Sequence, residues 1–256
     1  AVEQAAADAA VKALLIVGEG KAFIAGADIR EFGKPAMPPS LPEVCNAIEA
    51  SPKLVVAAIH GPALGGGLEV ALSAHYRLAL PKALLGLPEV NLGLLPGTGG
   101  TQRAPRVMGV KAATELMLSG KHLSAKAAAA AGLVDQLVEG DDVTVAGLAY
   151  TRGLLAAGAP VRRTRDIEIT DKVGALAELE ALAIDTAKKA RGLFSPLKII
   201  ECAKAAVNLP FEQGLKEERE GFMYLVGTPE SRAPRMVDTV ASAVTMMIGI
   251  RRHPRV

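Results

Sequence analysis

Short apolar runs closed by glycine set the rhythm of the first half of the chain. Ala13–Val17 ("ALLIV") and Leu54–Ile59 ("LVVAAI") are continuous rather than alternating, and a glycine follows each within two positions. Runs of that length without a polar face predict strands covered on both sides, as in α/β folds. "YRLAL" from Tyr76 and "ALLGLPEV" from Ala83 predict two more short strands, the second stopped by Pro88. "GLVDQLV" from Gly132 predicts a last one. Between the first two strands lies "GKPAMPPSLPEV", with four prolines in twelve residues, which reads as a loop.

From Thr98 the pattern turns helical. "GTGGTQRAPRVMG", "KAATELMLSG" and "SAKAAAAAG" carry helix formers closed by glycine, with Ser124 placed to cap the third. The opening "AVEQAAADAA" also reads as helix; without a Met, it is expected to lack a preceding part of a longer protein. Beyond about residue 141 everything reads as helix. In "LPFEQGLKEEREGFMYLV", Phe211, Leu215 and Phe222 share one face and a charged set the other. The tail "MVDTVASAVTMMIGIRRHPRV" has no clear pattern, and no repeat of fixed period is evident.

Composition narrows the functional classes. Half of the 256 residues are hydrophobic but only 3% are aromatic, so the core is built from Ala, Val, Leu and Ile. A net charge of +2, from 29 basic and 27 acidic residues, gives no electrostatic case for nucleic acid. No apolar run approaches a membrane span, and no charged-then-apolar leader or other targeting signal is visible. Cys45 and Cys202 stand far apart and outside any C-x-x-C pattern, which argues against a disulfide framework or a thiolate metal site and fits a reducing compartment.

Four groups of residues invite chemistry. Glycine triplet Gly65-Gly66-Gly67 follows a strand and opens a helix, the context of a phosphate cradle, yet neither G-x-G-x-x-G nor the P-loop pattern is met there or in "GTGGTQ". His60, His75, His122 and His253 are not spaced as metal ligands, and no metal is expected. Local hydrogen bonds are expected to satisfy His60 and His75. Glu69 and Glu89 interrupt apolar stretches; each is either solvated at an element end or held in a pocket that tunes proton transfer. Ala25-Gly26-Ala27 and the glycine triplet lie beyond the ends of the first two strands. They are either ordinary tight turns or, if those strands are parallel neighbours, two backbone donors converging on one oxygen.

"KAFIAGADIREF", "VVAAIHGPALGGGLEVALSAHYRLALPKALLGLPEVNLGLLPGTGGTQRAPRVMG" and "LMLSGKHLSAKAAAAAGLVDQLV" resemble the enoyl-CoA hydratase (crotonase) superfamily. The likeness is closest to the hydratase region of bifunctional β-oxidation enzymes. "SPLKIIECAKAAVNLPFEQGLKEEREGFMYLV" is similar to the helical segment that leads there from hydratase to 3-hydroxyacyl-CoA dehydrogenase. The resemblance implies an α/β fold, a crotonase-like β-β-α superhelix holding two stacked sheets. It would occupy residues 1–140 without the family's N-terminal strand pair, and residues 141–256 would form the helical C-terminal region.

The resemblance also implies the chemistry. Glu69 and Glu89, 20 positions apart, correspond to the family's catalytic pair. Ala27 and Gly66 correspond to the N–H donors of its oxyanion hole. Ala25, Asp28, Ile29, Arg30 and Gly65 fall where the CoA thioester is bound. The implied function is hydration of 2-enoyl-CoA in fatty-acid β-oxidation, with no cofactor because CoA is part of the substrate. Δ3,Δ2-Enoyl-CoA isomerase activity and a non-catalytic subunit or fragment of the same fold are the alternatives. The implied partners are an acyl-CoA thioester, with no nucleic acid or membrane, and either a second copy of the chain or a fused dehydrogenase domain. No dinucleotide-binding motif follows residue 226, which speaks against dehydrogenase chemistry within these residues. The implied location is bacterial cytoplasm, or peroxisomal matrix in a eukaryote. Acyl chain length would depend on the loop from Gly33 to Pro42.

Overall fold

A computed structural model of the chain describes residues 2–26, 38–190 and 192–231. Helix α1 (Val2–Ala7) leads into β1 (Ala13–Val17), and α2 (Leu41–Ala50) into β2 (Leu54–Ile59). β3 (Pro62–Leu64) and α3 (Gly66–Ser73) follow at once, then β4 (Tyr76–Ala79) and β5 (Leu84–Gly86). The chain continues through α4 (Gly100–Met108), α5 (Val110–Ser119), β6 (His122–Ser124), α6 (Ala125–Ala130) and β7 (Gln136–Leu137). Helices α7 (Val143–Ala156), α8 (Lys172–Lys189), α9 (Ser195–Asn208) and α10 (Phe211–Val226) follow within the described residues.

The strands form two sheets. One has the order β1-β2-β4-β7 with every pair parallel; the other has the order β3-β5-β6. All six residues of β2 are buried, as its unbroken apolar run requires of a strand packed on both faces. Alternate residues divide its work. Val56 and Ala58 meet α7 through Ala146, Tyr150 and Leu154, while Val55, Ala57 and Ile59 join the main core with Leu68, Leu72 and Leu85. Gly147 lets α7 come down on that sheet, since a Cβ there would lie 2.9 Å from Leu15 and 3.1 Å from Ala58.

The proline-rich loop reading ends sooner than expected. Pro42 falls in the first turn of α2, where a missing N–H is harmless. The Glu43 carboxylate caps that turn, accepting from Ser40 N–H at 2.6 Å and Ser40 Oγ at 2.8 Å. β3 and β6, three residues each, were not foreseen. Ser124 does cap α6: its Oγ accepts from Ala127 N–H. Ser124→Ala is therefore expected to cost about 1 kcal/mol in denaturant unfolding, with activity retained. An unchanged unfolding midpoint would remove the cap from the account.

α10 turns a different face inward from the one expected. Gly214, Glu218, Gly221 and Leu225 are buried, while Phe211, Leu215 and Phe222 are only half-buried. Glu218 therefore leaves the charged set. Phe211 instead carries the guanidinium groups of Arg103, Arg106 and Arg165, each 5.0–5.2 Å from its ring centre. Arg103 and Arg165 also bind the fully buried Glu49, at 2.8 and 2.9 Å. Burial alone would raise the Glu49 carboxyl, but its two arginines hold it below the usual carboxylate range. Arg103 extends this network to the Thr98 carbonyl at 3.1 Å.

Candidate functional site

Parallel pairing of β1 with β2 carries both glycine-containing turns to the same end of the sheet. The chain after β1 then runs beside β3. Phe23 N–H donates to Pro62 O, Leu64 N–H donates to Ile24 O, and Ile24 bridges Ala63 in parallel. Ala25-Gly26 is thereby set alongside Leu64-Gly65.

The three glycines of the triplet have separate jobs. Gly65 adopts φ 53°, a left-handed value that favours glycine, and spends its N–H on Gly86 O at 2.9 Å. A Cβ on it would lie 2.9 Å from Glu89 Oε1. Gly66 is the first residue of α3, so its N–H has no acceptor within the helix and sits at the positive end of the helix dipole. Gly67 packs on the Ile24 carbonyl so closely that a Cβ would come within 1.9 Å of its oxygen.

Ala25, Gly65, Gly66, Glu69 and Glu89 all line one cavity of about 200 Å³. Its remaining wall is mainly apolar, with Leu41, Leu64, Leu92, Leu94 and Phe222. Such walls strengthen the few polar groups that face inward. Ala27, Asp28, Ile29 and Arg30 lie outside the described residues, as does the first half of the Gly33–Pro42 loop.

The two carboxylates differ in their bonding. Glu69, one turn into α3 and 2% exposed, accepts Thr98 N–H at 2.7 Å and Gly100 N–H at 2.8 Å, both on Oε1. Burial raises its pKa, and those two donors with the Arg103 charge oppose the rise. Glu89 opens a 3-10 turn, Glu89–Leu92, entered through Pro88. The residue keeps some exposure, yet its Oε2 is sealed from solvent and, among the described residues, has no hydrogen-bond partner. Burial first, then the Glu69 charge, pushes its pKa well above the ordinary carboxylate range. An ionised Glu69 beside a protonated Glu89 is the arrangement these environments favour, a base and an acid facing one cavity.

Sequence reasoning missed a third carboxylate. Glu218, on α10, is 1% exposed and accepts from Gly99 N–H, Thr101 N–H and Thr101 Oγ. Burial and the Glu69 charge push it up to about 8, against those donors. The signal was present in the sequence: Gly214, Glu218 and Gly221 recur at helical spacing, small residues flanking one charge. Thus the backbone of "GTGGTQ" does cradle acidic groups, but they are the protein's own carboxyls.

His60 and His75 lie away from the cavity, neither is satisfied by local bonds, and His60 Nδ1 is buried with no partner among the described residues. His75 accepts Val55 N–H on Nδ1 at 3.0 Å and places Nε2 3.1 Å from Glu49 O, partners more than twenty residues away or at twenty, not local. His60 pairs through Nε2 with Gly20 O at 3.1 Å. Among the described residues, no three His, Cys, Asp or Glu side chains gather as a metal site, and no helix is long and apolar enough to cross a membrane.

Residues 1–189 match the family described as enoyl-CoA hydratase/isomerase. Peroxisomal bifunctional enzyme of Danio rerio is 45% identical over 234 residues, covering 91% of this chain and 32% of its own length. Fatty acid oxidation complex subunit alpha of Shewanella amazonensis is 36% identical over 260 residues, covering 92% and 35%. The crystal structure of an enoyl-CoA hydratase from Mycobacterium avium subsp. paratuberculosis K-10 aligns with a TM-score of 0.63 at 25% identity, covering 92% of this chain and 83% of its own. The chain spans about one third of the length of the curated relatives it matches.

Proposed function

The chain belongs to the enoyl-CoA hydratase/isomerase family and has the crotonase fold, and on that premise we propose that it adds water across the 2,3 double bond of 2-enoyl-CoA thioesters. The observation that carries the reading is the unequal pair of carboxylates, Glu69 held by two N–H donors and Glu89 with an unpartnered buried oxygen, on one apolar cavity.

Hydration of a conjugated thioester needs a polarised carbonyl, an activated water and a proton for Cα. In this reading Gly66 N–H, at the start of α3, and Ala27 N–H hold the thioester oxygen as enolate charge builds there. Glu69 takes a proton from water as the water oxygen bonds to Cβ. Glu89 gives its proton to Cα, so one proton enters the carboxylate pair and one leaves it. The donors on Glu69 Oε1 keep that oxygen occupied and leave Oε2 for the water. No cofactor is required, because CoA enters with the substrate. Asp28, Ile29, Arg30 and Ala25 would line its path.

The names of the relatives support a place in fatty-acid oxidation, in which this chain supplies the hydratase portion of a longer multifunctional protein. Peroxisomal names among the relatives support a peroxisomal location in a eukaryote.

Crotonyl-CoA added to the purified protein is expected to lose its conjugated enoyl-thioester absorbance at an enzymic rate. A folded protein that binds the saturated analogue butyryl-CoA yet leaves crotonyl-CoA unchanged would overturn the reading. Turnover of a 3-enoyl-CoA in its place would reassign the protein to isomerisation.

A further inference from the structure

Four consecutive backbone N–H groups, from Thr98 to Thr101, are shared alternately between two buried carboxylates. Thr98 and Gly100 donate to Glu69 at 2.7 and 2.8 Å, while Gly99 and Thr101 donate to Glu218 at 2.5 and 2.9 Å. Thr101 Oγ adds a further bond to Glu218 at 2.6 Å. The segment is gripped from opposite sides, so the direction of either pair of donors depends on the other pair being held.

α10 is shaped to deliver this grip. A Cβ at Gly214 would lie 2.1 Å from Gln102 Oε1, and one at Gly221 would lie 3.1 Å from Leu95. The helix can therefore approach the segment only where its side chains are missing, on either side of Glu218. One turn on, the Phe222 ring occupies the place a Cβ of Gly97 would need, at 2.4 Å, and reaches the cavity wall. Burying a carboxylate costs several kcal/mol unless its oxygens are satisfied; an apolar side chain would anchor α10 without that cost. The cost is explained if the carboxyl oxygens themselves are what the segment needs, one accepting from Gly99 N–H and the other from Thr101 N–H and Oγ.

We propose that Glu218 is a positioning residue for hydration: through the 98–101 segment it aims the Thr98 and Gly100 N–H groups at Glu69, so that the C-terminal helices set the geometry of the base. The proposal rests on the hydratase reading above. The charged and titratable groups around Glu218 are Glu69 on α3, Glu89 on the 3-10 turn, Arg103 on α4 and Cys202 on α9.

Glu218→Gln keeps the size but sets an amide NH₂ against donors, and it is tested alone and combined with Glu69→Gln. Alone it is expected to lower kcat for crotonyl-CoA about 10–100-fold with KM within about threefold. Added to Glu69→Gln it is expected to cost less than about threefold more, because its effect runs through Glu69. A purely structural role would give the same loss in both backgrounds, and that result, or a wild-type kcat in the single variant, would overturn the proposal. Amide hydrogen exchange supplies a readout that does not need turnover: protection of Thr98 and Gly100 should drop in Glu218→Gln while the core of β2 stays protected. Unchanged protection at both amides would also overturn it. Should wild type bind butyryl-CoA but fail to hydrate crotonyl-CoA, the hydratase reading falls, and exchange still decides whether Glu218 holds the segment. If the Gln variant does not fold, Glu218→Asp is put through the same comparisons and must show the same dependence on Glu69.

Discussion

Glu89→Gln is expected to lower kcat for crotonyl-CoA hydration by about 10²–10⁴-fold while butyryl-CoA binding stays within a few-fold of wild type. The substitution preserves shape and removes only the transferable proton. Among the described residues Glu89 Oε2 is buried without a hydrogen-bond partner and its residue lines the cavity, so the lost proton has no bonded neighbour to replace it. Near-wild-type turnover in this variant would remove Glu89 from the chemistry.

The same substitution is expected to stabilise the fold as pH rises. Glu89 has a folded pKa above its unfolded value, because burial and the Glu69 charge disfavour its ionised form. Below the unfolded value, about 4.3, both states hold the proton and nothing is lost. As pH climbs from there through the folded pKa, the unfolded chain ionises more readily and wild type loses stability. Glutamine does not titrate. Its melting temperature should match wild type near pH 4 and exceed it at pH 8, a difference read by thermal unfolding at the two values. Equal melting temperatures at pH 8 would mean that Glu89 is not held in a strained protonation state. For activity, both carboxyls titrate high, and their apparent pKa values belong to the pair. kcat should fall at acid pH as Glu69 gains a proton and at alkaline pH as Glu89 loses one.

The two leading strands of the parallel sheet were legible because each is an apolar run with a glycine close behind it. Ala13–Val17 and Leu54–Ile59 match β1 and β2 residue for residue. β3 was hidden by its length and by Pro62; three residues carry too little periodicity to register. α2 was hidden by proline content, although S-x-x-E at Ser40 to Glu43 was the signal that outweighs it. Glu69 and Glu89 stood out as charges in apolar surroundings. Glu218 did not, because its neighbours Glu217, Arg219 and Glu220 are exposed and make it look like one more solvated charge. What buries it is a tertiary contact with Gly99 and Thr101, more than a hundred residues away; the flanking Gly214 and Gly221 mark a close approach on that face but not what approaches.

Gly67→Ala is expected to reduce kcat/KM for crotonyl-CoA at least about 10²-fold and to lower the unfolding midpoint as well. Helix propensity alone argues the other way: alanine in place of glycine within α3 should gain roughly 0.5–1 kcal/mol. The neighbour decides the sign. The new Cβ would stand 1.9 Å from Ile24 O and 2.7 Å from Ile24 C, and both are backbone atoms that cannot swing aside. Overpacking of this kind costs typically about 1–3 kcal/mol, enough to cancel the propensity gain and exceed it. Relief must come from moving Ile24 away from α3, against the hydrogen bond that its oxygen accepts from Leu64 N–H at 3.1 Å. Ala25 and Gly26 follow Ile24 directly, so the turn that faces the α3 N-terminus retreats with it. A displacement near 1 Å between two groups that must act on one oxygen costs about 10² in rate. Gly153→Ala provides the control, a glycine inside α7 with nothing within 4 Å of the added Cβ. It should gain stability and keep its activity. A Gly67→Ala protein that hydrates crotonyl-CoA at the wild-type rate would show that the contact between Ile24 and the glycine triplet does not set the geometry at the thioester oxygen.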